Sequence, residues 1–130
     1  MKKILFWCAS LTWGGIMTWL GAIIACAMIL TGHKPKVFHY FVYFEMGEDW
    51  GGFEMGAFFF VNRSPTLHIK QHEAGHGLQN IIFGVFMPFI VSIPSAIRYW
   101  YRRFKRDELP PYDSIWFEGQ ATRLGKKYFN

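Results

Sequence analysis

The first hydrophobic block of the chain runs from residue 4 to residue 31 and contains no charged side chain. A helix that crosses a bilayer needs about 20 apolar residues, so this block predicts an N-terminal transmembrane anchor over residues 1–32. A cleaved signal peptide is the alternative, but its apolar core spans only about 7–15 residues. Residues 23–26 also resemble a lipoprotein cleavage box, although further apolar residues follow. We therefore expect an uncleaved anchor.

Two aromatic, β-branched segments come next, at 37–44 and 57–61, and an acidic, glycine-rich segment separates them. Strands of this composition around a polar turn predict a short β-hairpin. The remaining segments, from 33 to 130, are expected to form a single domain.

Helix-start signals mark two further elements. Ser64 is a favourable N-cap and Pro65 suits the first helical position, which predicts a helix from Pro65 to Phe83. Asp113 or Ser114 would cap a last helix that ends near Phe129, where basic side chains complement the helix dipole.

A second apolar stretch, residues 81–101, lies between these two helices and is interrupted by Gly84, Pro88 and Pro94. Prolines inside a helix remove a hydrogen bond and kink or break it. This stretch therefore predicts a membrane-associated hairpin, re-entrant or interfacial, rather than one straight span.

The composition supports a membrane protein. The 130 residues are 52% hydrophobic, 20% aromatic and only 18% charged, and the net charge is +5. The basic side chains cluster beside apolar stretches, which favours anionic lipid headgroups over nucleic acid as the partner. Cys8 and Cys26 would lie about 27 Å apart along a helix, so no internal disulfide is expected.

The candidate chemistry lies in the sequence His72-Glu73-Ala74-Gly75-His76. Two histidines four positions apart share one face of a helix and can both bind Zn²⁺, and Glu73 is placed to act as general base on the zinc-bound water. The alternative is a solvent-facing polar patch on an ordinary helix. Gly75 and Gly77 weaken that alternative, because glycine in mid-helix costs about 1 kcal/mol against alanine.

A zinc site needs a third protein ligand, and we predict Glu118, an acid in a mostly apolar turn of the last helix beside small residues. His68 lies on the same helix as the first two ligands and is read as a supporting or structural residue. The other groups considered are His33, His39, Asp107, Glu108 and Asp113. Because His76 and Glu118 must meet at one ion, residues 81–101 cannot cross a bilayer core of about 30 Å.

The HExxH motif is followed, on a later helix, by Glu118 and by the small residue Ala121 three positions further on. This pattern resembles the gluzincin branch of zinc metallopeptidases, and its membrane-associated and short bacterial members most of all. The resemblance implies His72, His76 and Glu118 as ligands and Glu73 as catalytic base. It also implies that the strand at 57–61 is the edge that holds an extended peptide. Thr122 departs from the acid found at that position in many gluzincins. Tyr112 and Tyr128 are the only candidates to steady an oxyanion.

The expected fold is mainly α with a small β element: an N-terminal transmembrane helix followed by a zincin-like core of two ligand-bearing helices, a β-hairpin and a proline-broken hairpin. The expected function is a zinc metallopeptidase of the bacterial cell membrane that cuts peptides or membrane-protein segments near the bilayer. The alternatives are a non-enzymatic interaction or assembly factor and a zinc hydrolase of a non-peptide substrate. The basic residues on both sides of the anchor leave the side of the membrane open.

Overall fold

A computed structural model describes residues 2–47, 52–104 and 110–130 of the chain. They form five α-helices and one four-stranded sheet. In chain order the elements are α1 (Lys2–Leu11), α2 (Gly15–Leu30), β1 (Lys36–Phe38), β2 (Phe41–Glu45), β3 (Gly52–Met55), β4 (Phe58–Val61), α3 (Leu67–Phe83), α4 (Ile93–Phe104) and α5 (Trp116–Tyr128). Short 3₁₀ turns at Gly84–Phe86 and Tyr112–Ser114 and a π turn at Pro88–Ser92 connect the later helices.

The single N-terminal spanning helix predicted from the sequence is wrong, because the chain bends by 94° between α1 and α2. The Asn80 side chain donates to the carbonyl oxygen of Gly14 at 3.0 Å, and a Cβ on Gly14 would overlap that amide. Glycine at the break thus lets α3 pack against it. In the described ranges no single helix is long and apolar enough to cross a membrane, although α1 with α2, and residues 67–86 with 88–104, reach that length as bent pairs.

The sheet has the strand order β1-β2-β4-β3. The segment predicted as one strand at 37–44 is itself a hairpin, β1 and β2, which turns at His39 with a φ of 53°. The two aromatic strands β2 and β4 do pair, with Tyr43 beside Phe59, but they run parallel. The predicted antiparallel hairpin between them is therefore wrong. A parallel pair needs a connection of about a dozen residues, and this connection contains β3, which turns back into β4 at Gly56.

Both faces of the sheet are covered. On one face, Phe41 and Phe59 belong to a buried cluster with Phe6 of α1, Ala74 of α3 and Phe129 after α5. The other face packs on α2, through buried residues that form a second cluster: Ala25, Met28, Phe44 and Phe60. Removing such aromatic surface from water is the largest stabilising contribution available to the chain. Helix α3 is consequently held between the sheet and α5.

The ends of the two site-bearing helices differ from the prediction. Thr66 caps α3 by accepting the Ile69 amide at 3.2 Å, whereas Ser64 has a φ of 54° and donates its amide to Glu45. No side chain caps α5 at Ile115. Asp113 is used elsewhere, as an acceptor for the Thr122 hydroxyl.

Helices α3 and α5 touch through their backbones. A Cβ on Gly75 would overlap the carbonyl group of Ala121, and one on Gly125 would overlap the carbonyl group of Gln71. Gly75, in mid-helix, is therefore explained by the close approach of α5, whereas a Cβ on Gly77 would overlap the Phe41 ring of the sheet. The backbone contact between α3 and α5 limits the distance between side chains on the facing surfaces of the two helices.

After α3 the chain bends by 116° before it enters α4. Gly84 adopts a φ of 56° at the bend, and a Cβ there would overlap the Trp13 ring. The predicted interruption of residues 81–101 is confirmed, although Pro94 lies within the first turn of α4 rather than at the break.

Candidate metal centre

Three side chains from two helices converge at the interface of α3 and α5. His72 and His76 lie on α3 and Glu118 lies on α5, and all three are buried. One ligand atom from each residue falls within 4.8 Å of the other two. The Glu118 Oε1 atom is 3.1 Å from His72 Nε2 and 2.8 Å from His76 Nε2. The structure thus brings together the three residues that the sequence predicted as ligands.

Hydrogen bonds behind His76 determine which of its ring nitrogens carries the proton. The Gln79 amide nitrogen donates to the carbonyl oxygen of Phe117 at 2.8 Å, so the amide oxygen of Gln79 is the atom that faces His76 Nδ1, at 2.7 Å. An amide oxygen only accepts, so Nδ1 is the protonated nitrogen. The Nε2 lone pair of neutral His76 therefore points at Glu118.

Hydrogen bonds also determine which ring nitrogen of His72 carries the proton. The Thr122 hydroxyl donates its one hydrogen to Asp113 Oδ2 at 2.7 Å, so it accepts from His72 Nδ1, also at 2.7 Å. The Nε2 lone pair of neutral His72 then also points at Glu118 Oε1. The Thr122 hydroxyl thus connects His72 to the Asp113 carboxylate. In the gluzincin pattern an acid at the position of Thr122 would support the histidine directly.

Three acceptors around one point need a cation among them, either extra protons on both imidazoles or a metal ion. Two neutral imidazoles and a carboxylate are a common donor set for catalytic zinc, and adjacent ligands of a tetrahedral zinc ion lie about 3.3 Å apart. The observed separations of 2.8 and 3.1 Å are close to that value. The residues therefore fit a divalent metal ion, although they do not by themselves identify which one.

The pKa shifts of Glu118 and His76 agree with the need for a cation between the three side chains. Burial alone would raise the pKa of Glu118, but the hydrogen bonds that His72 and His76 donate when Nε2 carries a proton lower it well below its usual range. Burial alone would lower the pKa of His76, but the Glu118 carboxylate raises it. Glu118 is consequently ionised at any pH near neutrality, and it attracts positive charge to this point.

Glu73 occupies a different environment. Its side chain is buried, and its Oε2 atom has no hydrogen-bond partner among residues 2–47, 52–104 and 110–130. Burial raises the pKa of this carboxyl group. Glu73 and His76 both line a cavity of 480 Å³ enclosed by β3, α3 and α4. A carboxylate with a spare acceptor beside a candidate metal centre is placed to take a proton from a water molecule in that cavity.

The strand that borders this cavity is β3 rather than the predicted one. Strand β4 is interior, with β2 on one side and β3 on the other, so it has no free edge for a peptide. Strand β3 is one of the two outer strands of the sheet, with β1 at the opposite edge, and a Cβ on Gly52 would lie 3.4 Å from Glu73 Cγ. The expectation that 57–61 holds a substrate is corrected accordingly.

Of the two tyrosines considered for an oxyanion role, only Tyr112 reaches the site. It lines the 480 Å³ cavity and a neighbouring one of 590 Å³, and its ring centroid lies 6.0 Å from that of His72. Burial raises its pKa. The Arg98 guanidinium lies 4.8 Å from the centre of the Tyr112 ring. Tyr128 is exposed at the end of α5.

The other candidate ligands stay outside the cluster. His68 lines the 590 Å³ cavity, with its ring 6.4 Å from that of His72, and neither His33 nor His39 belongs to the group. Asp107 and Glu108 lie outside the described residues.

Sequence reasoning missed three supporting groups: Gln79, the bridging role of Thr122, and Ser95. The Ser95 hydroxyl donates to Glu118 Oε2 at 2.7 Å. The i, i+3 spacing of His76 and Gln79 could have indicated the first.

Comparison with protein-family profiles, with curated protein sequences and with solved structures found no significant match.

Proposed function

We propose that this chain is a membrane-associated, zinc-dependent metallopeptidase of the gluzincin type. The observation that carries the proposal is the position of Glu73. Its buried carboxyl group has an unpartnered oxygen and lines an open cavity directly beside the cluster of His72, His76 and Glu118.

The roles follow from the contacts. His72, His76 and Glu118 would hold the metal, supported by Thr122 and Gln79. A zinc ion there supplies Lewis acidity and lowers the pKa of water. Glu73 takes the proton of the attacking water and returns it to the leaving amine, because it lines the cavity and directly follows the ligand His72 in the chain. Tyr112 is the hydroxyl placed to steady the developing negative charge.

The peptide substrate is supported by the edge of the sheet. In the described part of the chain β3 pairs with β4 alone, and its residues 52–55 line the cavity together with Glu73. An extended peptide can add to such an edge through main-chain hydrogen bonds, which places its carbonyl groups over the site without requiring a particular side chain. A hydrolase of a small non-peptide substrate has no use for this edge.

Membrane association is supported by the exposed apolar surface. Large hydrophobic side chains on α1, α2 and α4 are exposed, and they include Leu5, Ile23, Leu30, Ile97, Trp100 and Phe104. Helix α4 has no buried residue and carries Arg98, Arg102 and Arg103 beside its apolar side chains. This combination is typical of a helix at the headgroup layer. The cavity would then open close to the membrane surface, since α4 forms one of its walls.

A non-enzymatic protein with a structural metal remains the competing function. A structural zinc site is normally closed by four protein ligands. Within residues 2–47, 52–104 and 110–130 three ligands converge, and the neighbouring Glu73 carboxyl group faces a cavity. That geometry favours the enzyme.

The proposal is tested on detergent-purified full-length protein, with zinc content and hydrolysis of a fluorogenic peptide library measured in parallel. Glu73→Gln should retain stoichiometric zinc and lose about 10²–10⁴-fold in hydrolysis. Glu118→Gln should lose zinc itself. Glu45→Gln, on an exposed ion pair with Lys36, is the matched control and should behave as wild type. Wild-type protein without stoichiometric zinc would refute the proposal, and zinc without hydrolysis of any peptide would favour the structural alternative.

A further inference from the structure

A second buried carboxyl group, Glu54 on β3, lines the cavity that contains Glu73. Its side chain is 8% exposed. One carboxyl oxygen accepts the backbone amide of Gly56. The other, Oε1, has no hydrogen-bond partner in the part of the chain that the structure describes. Glu54 has no role in the mechanism proposed above, so its position requires a separate explanation.

Burying a carboxylate without a hydrogen-bond partner is unfavourable, and natural proteins keep such groups where a ligand provides the missing partner. Burial raises the pKa of Glu54 well above its usual range, and the neighbouring Glu73 carboxyl raises it further. The cavity also contains Arg103, but this residue comes from the exposed side of α4 and donates to the Tyr99 hydroxyl at 3.5 Å. Glu54 lines the cavity, its Oε1 atom lacks a partner among the described residues, and a positively charged group bound there would stabilise the ionised carboxylate against its burial.

The position of Glu54 along β3 relates it to the reacting centre. Alternate residues of a strand share a face, so Glu54 lies on the same face as Gly52, about 7 Å further along. Gly52 lies against Glu73. A peptide that extends along β3 with its scissile bond at Glu73 would therefore place an adjacent residue at Glu54.

We infer that Glu54 is a specificity residue that binds a positively charged group of the substrate next to the scissile bond. Two sources share this chemistry: the free α-ammonium group of a peptide and the side chain of a lysine or arginine. In both cases one water molecule is consumed. Its hydroxyl group joins the carbonyl carbon, the C–N bond breaks, and the leaving nitrogen takes the proton through Glu73. The hydrolysis rests on the proposed function, whereas the binding of the cation does not.

The apolar part of the cavity suits such a ligand. Its wall includes Met17, Met55, Met87 and Val91, which would contact the aliphatic part of a side chain. A charge-assisted hydrogen bond to Glu54 would then orient the ligand.

The test uses zinc-loaded, full-length protein in detergent and measures the binding of three small probes by tryptophan fluorescence. Leucinamide carries an α-ammonium group, N-acetyl-lysinamide carries a side-chain ammonium group, and N-acetyl-leucinamide carries no charge. One of the cationic probes should bind about tenfold or more tightly than the neutral probe, and the better one identifies the source of the charge. Glu54→Gln should abolish the difference, and Glu45→Gln should preserve it.

Glu54→Gln keeps the shape of the side chain and its bond to Gly56, and its zinc content and melting temperature are measured to verify folding. Equal binding of all three probes by wild type would overturn the inference, as would unchanged discrimination by folded Glu54→Gln. If Glu54→Gln does not fold, Glu54→Asp, which retains the charge on a shorter side chain, must weaken the cationic probe selectively. A protein that discriminates the probes but hydrolyses no peptide would refute the proposed function and leave the inference about Glu54 intact.

Discussion

The Nδ1 atom of His72 lies 2.7 Å from the hydroxyl oxygen of Thr122, 50 positions later in the chain. Because Thr122 in turn donates to Asp113, the hydroxyl holds the imidazole in the tautomer that turns its Nε2 lone pair toward Glu118. The bridge joins α3 to the turn that precedes α5. It makes a threonine part of the support for a metal ligand.

This bridge predicts that Thr122→Val weakens zinc binding by about 10–100-fold, the usual cost of losing a partner that orients a metal ligand. Thr122→Ser keeps the hydroxyl and should retain wild-type affinity. Asp113→Asn should fall between them, since the amide still accepts the hydroxyl but carries no charge. Competition with a fluorescent chelator measures all three affinities. Equal affinity of Thr122→Val and wild type would show that the bridge has no role in binding.

Close packing of α3 on α5 predicts that Gly75→Ala is destabilising. Alanine has the better helix propensity by about 1 kcal/mol, but its Cβ would overlap the Ala121 carbonyl, and such overpacking costs about 1–3 kcal/mol or more. The separation of the helices should also cost zinc affinity. Gly15→Ala is the control, because its Cβ would meet only the Trp19 side chain, at 3.3 Å. Thermal unfolding with and without zinc measures both effects, and an unchanged melting temperature for Gly75→Ala would contradict this packing.

The metal-free protein should be most stable at mildly acidic pH. The pKa of Glu118 is lowered on folding, so its contribution is present above its unfolded-state value of 4.5 and is lost as the pH falls toward the folded value. The pKa of His76 is raised, so its contribution is complete below 6.5 and is lost as the pH rises through the folded value. Chelator-treated protein should therefore melt at a higher temperature at about pH 6 than at about pH 8.

Zinc should reverse this dependence of stability on pH, because zinc binding requires neutral imidazoles and competes with protons. The zinc-saturated protein is expected to gain stability from about pH 6 to about pH 8. Differential scanning fluorimetry across this range, with chelator or with zinc, compares the two forms. His76→Gln should flatten the dependence of the metal-free form. Parallel pH profiles with and without zinc would argue against metal binding at this cluster.

Membrane association predicts low reactivity of the native thiols in membranes. Cys8 on α1 and Cys26 on α2 are both exposed free cysteines among exposed apolar residues. A polar maleimide does not enter lipid, because burying its polar groups there is unfavourable, so it should label neither residue until detergent is added. A cysteine introduced at the exposed Lys34 position should be labelled, at least in inside-out or opened vesicles. Equal labelling of all three positions in intact membranes would exclude burial of α1 and α2 in lipid.

The sequence by itself determined the chemistry of the candidate site. The spacing of His72 and His76 is enough to place both on one helical face, and Glu118 stands out as an acid in an apolar turn, because helix periodicity is a local property. The helical segments and the interruption of residues 81–101 were equally readable, since glycine and proline act on the local backbone.

Only the tertiary structure decided what depends on contacts between distant parts of the chain. The bend at Gly14 depends on Asn80, and the parallel pairing of β2 with β4 depends on where β3 turns back. The support of His72 depends on Thr122 meeting Asp113 across a turn, and the place of β3 at the edge of the sheet depends on the order of all four strands. No local pattern encodes these relationships, because hydrogen-bond partners and strand order are settled by the packing of the whole chain. For the same reason Glu54, an unremarked acid in a glycine-rich segment, becomes a candidate determinant of specificity only once the fold places it beside Glu73.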